Sequence, residues 1–213
     1  MYLEGLGNTF IMTLCAAVIG IIIGMLVAIC KVNAKESRNP LMKVLNVICD
    51  IYLTVIRGTP MMVQLLIFAW VIFTSVPISQ LLWVGILAFG INSGAYVAEI
   101  IRGGIMSVDN GQFEAGRSLG FNYVQTMLYI VIPQVFKSVL PALLNEFIAL
   151  LKETSVAGYV GIMDLTKAGD LIRGRTFSAF MPLIAVALVY LIIVMLLTSL
   201  VGQLERRLRK SER

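Results

Sequence analysis

The sequence predicts an all-α integral membrane protein built as a single domain over residues 1–213, with five membrane-spanning helices. Three observations carry that expectation. Of 213 residues, 59% are hydrophobic and only 14% charged, too few charges to cover a soluble domain of this length. The mean hydropathy is strongly positive, at +0.91. Five apolar runs also approach the ~20 residues that a helix needs to cross a bilayer.

The first run is Asn8–Cys30. It begins near Glu4 rather than a basic segment and is too long for a signal peptide, so it is expected to be a true span. The second, Leu41–Phe73, is long enough to tilt or to extend beyond the membrane, and Pro60 predicts a kink inside it. The third is Leu81–Ile101. The fourth is Ser138–Thr154, short and interrupted by Pro141 near its start. The fifth is Phe180–Leu204.

Basic residues orient these spans. With the N-terminus outside, the first inner loop holds Lys31, Lys35, Arg38 and Lys43, the second holds Arg102, Arg117 and Lys137, and the C-terminal tail holds Arg206, Arg207, Arg209, Lys210 and Arg213. The outer side then holds Lys152, Lys167, Arg173 and Arg175. The asymmetry predicts N-terminus out and C-terminus in. In this setting the net charge of +5 reports topology and implies no nucleic acid partner.

Composition also excludes chemistry. Histidine is absent, which removes the commonest metal ligand and general base. Cys15, Cys30 and Cys49 match no metal or redox spacing and are expected to be small buried hydrophobes. No GxxxxGK[ST] phosphate loop occurs, so nucleotide energy would have to come from another chain. An odd number of helices cannot form two equal inverted halves, so a pore on a symmetry axis would require dimerisation.

Between the third and fourth spans the chain reads EAGRSLGFNYVQTMLYIVIP, residues 114–133. Gln112–Ser118 is expected to be a short amphipathic helix that Gly120 ends or bends. Tyr123–Ile132 suits a second helix, which Pro133 is expected to stop or kink, with Pro141 doing the same further on. Gly116 and Gly120 leave little bulk, offering a surface that a partner can approach closely. A solvated loop is the alternative.

These residues resemble the EAA loop of ABC importer permeases, whose pattern is EAA, three residues, Gly, nine residues, then I-x-L-P. Glu114, Ala115, Gly116, Gly120, Ile130, Ile132 and Pro133 fall at its anchors, with Gly116 in place of an alanine and Ile132 in place of the leucine. Arg57–Leu65 (RGTPMMVQL), Ser93–Gly120 and Leu150–Gly161 (LLKETSVAGYVG) resemble the polar amino acid branch of the type I importers. The resemblance implies a transmembrane permease domain whose coupling loop, about 103–137, docks on an ATPase through Glu114, Ala115, Gly116, Arg117, Leu119 and Gly120. It implies two copies of an ATP-binding subunit, which would hold the ATP and Mg; this chain itself is expected to bind no cofactor and catalyse no bond. It further implies a second permease subunit, a homodimer being favoured, and a separate extracytoplasmic amino-acid-binding protein, in a bacterial cytoplasmic membrane.

Polar residues inside spans are costly and mark candidates for a substrate path. Glu99 and Arg102, three apart, suit a structural ion pair. Arg57 either bonds carbonyls freed at the Pro60 break or lines the path. Asp50 is expected near the inner surface, too far along the helix to bond Arg57. Ser93 and Tyr96 fall mid-span, with Gly90 and Gly94 leaving room beside them; interhelical hydrogen bonding is the alternative. Glu146 and Glu153 suit an ammonium group or cationic side chain, and Thr154, Ser155 and a helix break after Glu153 suit an α-carboxylate. Pairing of either acid with Arg57, Lys137 or Lys152 is the alternative. Two acids near the path favour a basic amino acid such as arginine, lysine or histidine, with glutamine the main competitor. From other classes, a passive channel or secondary transporter needs no partner for the elbow, and an intramembrane enzyme lacks any nucleophile–base pair.

Overall fold

In a computed structural model, residues 1–36 and 39–210 are described. Arg38 and Arg213, counted above for orientation, lie outside them. The described residues are almost entirely helical and contain no strand. Four helices are long and apolar enough to cross a membrane, and a bent pair makes a fifth span if taken together.

Helix α1 (Tyr2–Glu36) lies along α4 (Leu81–Met106), and the apolar window of α4 is 72% buried against 28% for α1, so α4 is the axis of the bundle. Small residues allow this approach. A β-carbon at Gly90 would meet Ile19 at 2.7 Å, and one at Gly94 would meet Ile23 and the Tyr52 hydroxyl at 2.9 Å. The room expected beside Ser93 and Tyr96 is therefore filled by α1 and by Tyr52, whose hydroxyl donates to the Ile91 carbonyl at 2.6 Å.

The second span departs furthest from expectation. It is two helices, α2 (Pro40–Gly58) and α3 (Met61–Ile67, followed by a π-turn to Ile72), bent by 109°. Thr59 and Pro60 are both extended. Pro60 has no N–H and drives the residue before it out of the helical region, so one proline produces a corner rather than a kink.

At the other end, α5 (Asn110–Ser118) and α6 (Tyr123–Thr126) form the expected elbow. The second arm does not stop at Pro133. A π-turn over Met127–Val131 leads directly into α7 (Ile132–Glu153), and the run continues as 3-10 helix through Val160. Pro133 sits in the first turn of α7, where the widened π-turn accommodates its missing N–H and its ring. Pro141 lies inside α7 without ending it. The fourth apolar span is thus Tyr123–Val160, far longer than Ser138–Thr154. It crosses α4 where Gly104 admits Val139, a β-carbon there falling 2.2 Å from the valine.

After a left-handed Gly161, α8 (Leu165–Thr176) packs on the first turns of α1. Asn8 donates to the Met163 carbonyl at 2.9 Å, and the Leu165 amide donates to the Thr9 hydroxyl at 3.1 Å. Helix α9 (Phe180–Lys210) is peripheral, its apolar window only 11% buried, with Leu188, Leu191, Ile192 and Met195 facing outward. The cysteines are half-buried free thiols rather than core residues.

Candidate functional site

The corner between α2 and α3 frees backbone groups that a bilayer cannot solvate. The carbonyl of Ile56 is the one that the missing N–H of Pro60 would have bonded. Arg57 does not take it. Gln64, which the sequence reading passed over, does: its Nε2 donates to the carbonyls of Ile56 at 2.7 Å and Thr59 at 3.1 Å, and lies 2.8 Å from the Thr59 hydroxyl. Its Oε1 accepts from Asn92 Nδ2 at 3.0 Å, and both side chains are buried. A Q in the motif PMMVQL was the available signal, since an amide four residues after a proline can reach the carbonyl that the proline orphans.

Arg57 turns instead toward α4. Its guanidinium lies 5.8 Å from the Tyr96 ring centroid, a cation–π distance, and 3.7 Å from Glu99. Glu99 also takes the expected pair with Arg102, a two-point contact at 2.7 and 3.2 Å. Asp50 pairs with Lys31 and accepts from Asn46 at 3.0 Å. Glu99, Arg102, Lys31 and Asp50, with Glu114 and Arg117 of the elbow, line one cleft of about 1090 Å³ that opens at the elbow end of the bundle.

Higher in the bundle, buried Ser93 donates to Glu146 at 3.0 Å. Glu153 lies two turns further along the same face of α7, and neither acid forms an ion pair among the described residues. Pairing with Lys137 or Lys152 is therefore not observed. Thr154 is fully buried and its hydroxyl donates to the Leu151 carbonyl at 2.8 Å, so it presents nothing to a path. Ser155 is the second residue of the 3-10 segment Thr154–Val160 and is half-buried. The predicted residues thus fall in a line: Glu153, then Glu146 with Ser93, then Tyr96 with Arg57, then Glu99 with Arg102 at the cleft.

The elbow is held by local chemistry. Asp109 caps α5 by accepting from the Gly111 amide at 2.7 Å. The helix ends in a Schellman motif: Gly120 is left-handed (φ 82°), its amide donates to Arg117, and the Phe121 amide donates to Gly116. Asn122 and Gln125 form a capping box on α6. Phe113 stacks on Tyr123, and Gln134 bonds Gln112 at 3.2 Å. Gly116 is not the open surface expected of it, because it is buried against Thr126, whose hydroxyl would lie 2.6 Å from a β-carbon there. Glu114, Ala115, Arg117, Leu119 and Gly120 are exposed, Leu119 at 71%.

A polytopic bundle with a row of polar side chains between its helices and a protruding elbow has the form of a membrane transport subunit. Residues 20–210 match the family described as binding-protein-dependent transport system inner membrane component, and the chain belongs to that family. It is a multi-pass permease subunit of an ABC importer, in a family that works with a separate ATP-binding subunit and a substrate-binding protein. It is 36% identical over 208 residues to the putative glutamine transport system permease protein GlnP of Rickettsia typhi, covering 97% of this chain and 92% of that one. It is 35% identical over 212 residues to the arginine transport system permease protein ArtQ of Bacillus subtilis, covering 99% and 93%. A crystal structure of an amino acid ABC transporter with histidines superposes with a TM-score of 0.87 at 40% identity, over 97% of this chain and 93% of that one. The fold is shared with the MetNI methionine ABC transporter in inward-facing form, with a TM-score of 0.78 at 18% identity over 98% and 96% of the two chains.

Proposed function

We propose that this permease carries polar amino acids, basic ones in preference, into the cytoplasm, driven by ATP hydrolysis on two copies of a partner ATPase. The observation that carries the basic preference is the acidic face of α7: Glu146 and Glu153 share it two turns apart, and no cation pairs with either among the described residues. A carboxylate in a low-dielectric span without a salt-bridge partner favours a cationic ligand, although the adjacent Lys152 acts on Glu153 through space. The named relatives divide between glutamine and arginine, which keeps glutamine as the second substrate.

In this reading the N-terminus and α8 face outward, where the binding protein docks, and the elbow faces the ATPase. The cleft beneath Glu99 and Arg102 is the inward opening. Exposed Glu114, Ala115, Arg117, Leu119 and Gly120 form the ATPase contact, while Gly116 shapes it from within. Two copies of this chain around an axis are favoured over a mixed pair. ATP binding moves the elbow and shifts the bundle between its two openings. This chain binds no nucleotide or metal of its own; ATP and Mg sit on the partner.

The test is uptake by proteoliposomes holding the complex with its ATPase and binding protein. Glu153→Gln lowers arginine uptake far more than glutamine uptake if the acid reads substrate charge. Equal losses of both would remove the charge argument. Gradient-driven uptake by this chain without the ATPase would favour a passive channel or secondary transporter.

A further inference from the structure

We infer that Gln64 is a positioning residue of the transport path: its amide fixes the end of α2 against α4 and so sets the place of the Arg57 guanidinium. This rests on the reading of Arg57 as a path residue. One side chain bonds three helical segments. It holds the last turn of α2 through Ile56 and Thr59, it belongs to α3, and it grips α4 at Asn92. Asn92, Tyr96 and Glu99 lie four and three residues apart, hence on one face of α4. Arg57 follows directly after the gripped Ile56, and it reaches Tyr96 and Glu99 one and two turns along that same face from Asn92. The Gln64 bond to Asn92 is therefore the fixed point from which the reach of Arg57 is measured.

Tyr52 ties α2 to α4 earlier in the helix, through its hydroxyl on the Ile91 carbonyl, but at the corner Gln64 and Arg57 are the only polar side chains that reach α4 among the described residues. The Thr59 hydroxyl donates within its own helix, to Val55 at 2.8 Å, and Pro60 offers no donor. The glycine at position 58 is open, with no atom within 4 Å of where a β-carbon would stand. Arg57 itself is half-exposed, so packing does not confine its long side chain.

Gln64→Met keeps length and removes both ends of the amide. Gln64→Glu keeps the acceptor for Asn92 but sets a carboxylate against two carbonyls; on protonation it donates again. In proteoliposomes with the ATPase and binding protein, Gln64→Met is expected to raise the KM for the transported amino acid about tenfold, the loss of roughly one well-placed hydrogen bond. Gln64→Glu is expected to recover toward wild type, measured as a ratio at each pH, as the pH is lowered, and Gln64→Met is not. A general loss of packing would lower the melting temperature without this pH-dependent recovery. An unchanged KM in both variants, beside an Arg57→Ala complex whose KM rises, overturns the inference. An unchanged KM in Arg57→Ala overturns the path reading and the inference with it. If Gln64→Met does not assemble, absence of acid recovery in Gln64→Glu overturns the inference alone.

Discussion

Gly116 and Thr126 touch so closely that a β-carbon on the glycine would fall 2.6 Å from the threonine hydroxyl and 2.7 Å from its methyl. The two arms of the elbow are clasped there, and the clasp has no slack. Gly116→Ala should therefore spread the arms, at a cost of about 1–3 kcal/mol for overpacking a tight contact. The Thr126→Ala change removes both offending atoms. The double variant should recover uptake per ATP hydrolysed that the single Gly116→Ala variant loses. If Gly116→Ala couples normally, the clasp has no part in transmission.

Leu119 projects from the elbow tip, 71% exposed, beside the left-handed Gly120. An apolar side chain so placed is expected to fill a pocket on the ATPase. Leu119→Glu should lower ATP-driven uptake strongly, as loss of an interface anchor costs about 2 kcal/mol or more. Thermal stability of the isolated permease should stay within about 0.5 kcal/mol, the range for exposed sites. Gly120→Asn should be tolerated, because asparagine enters the left-handed region, and Gly120→Val should not. Co-purification of the ATPase with each variant checks both statements.

Asp164 caps α8 from a buried position, accepting from the amides of Thr166 and Lys167 at 3.0 Å each. Burial pushes its carboxyl above the usual carboxylate range in spite of those bonds. The folded chain then holds a proton that the unfolded chain releases near about pH 3.9, so this group's contribution to stability is full below that pH and falls as pH rises through the folded value. Asp164→Asn keeps an acceptor without a charge and should remove that pH dependence. Asp164→Ala should cost about 1 kcal/mol, the usual loss of an N-cap. Hydrogen exchange of the first amides of α8, followed with pH, measures both; a wild-type profile that strengthens with rising pH contradicts the sign.

The spans, the elbow and its glycine terminator were legible because each rests on local rules: apolar length, helix capping and left-handed glycine. The Glu99–Arg102 pair was legible for the same reason, as neighbours three apart on one helix. What stayed hidden depended on distant partners. Gly116 looks like an open surface until Thr126, ten residues on, is folded against it. Gly94 looks like space until Tyr52 arrives from another helix. Pro133 looks like a stop until a π-turn absorbs it, and no propensity announces a π-turn. Of the two roles open to Arg57, the carbonyls of the Pro60 corner go to a neutral glutamine instead, whose side chain carries no charge to mark it in the sequence. The corner itself was underestimated because a single proline usually bends a helix, whereas here Thr59 is driven extended as well.

The unbroken helical run that begins at the elbow has a mechanical consequence. It meets the axis of the bundle where Val139 enters the notch at Gly104. Thirteen residues separate Thr126 from that contact and fourteen separate the contact from Glu153, about 20 Å on either side at the rise of a helix. Beyond the notch the rod is held again, by the Ser93 bond to Glu146 and by buried Leu150 and Leu151, so only the arm that ends at the elbow is free to swing. Spin labels near the two ends, each paired with a reference on α4, should show the larger displacement at the elbow when ATP binds; equal displacement at both ends would place the fulcrum elsewhere.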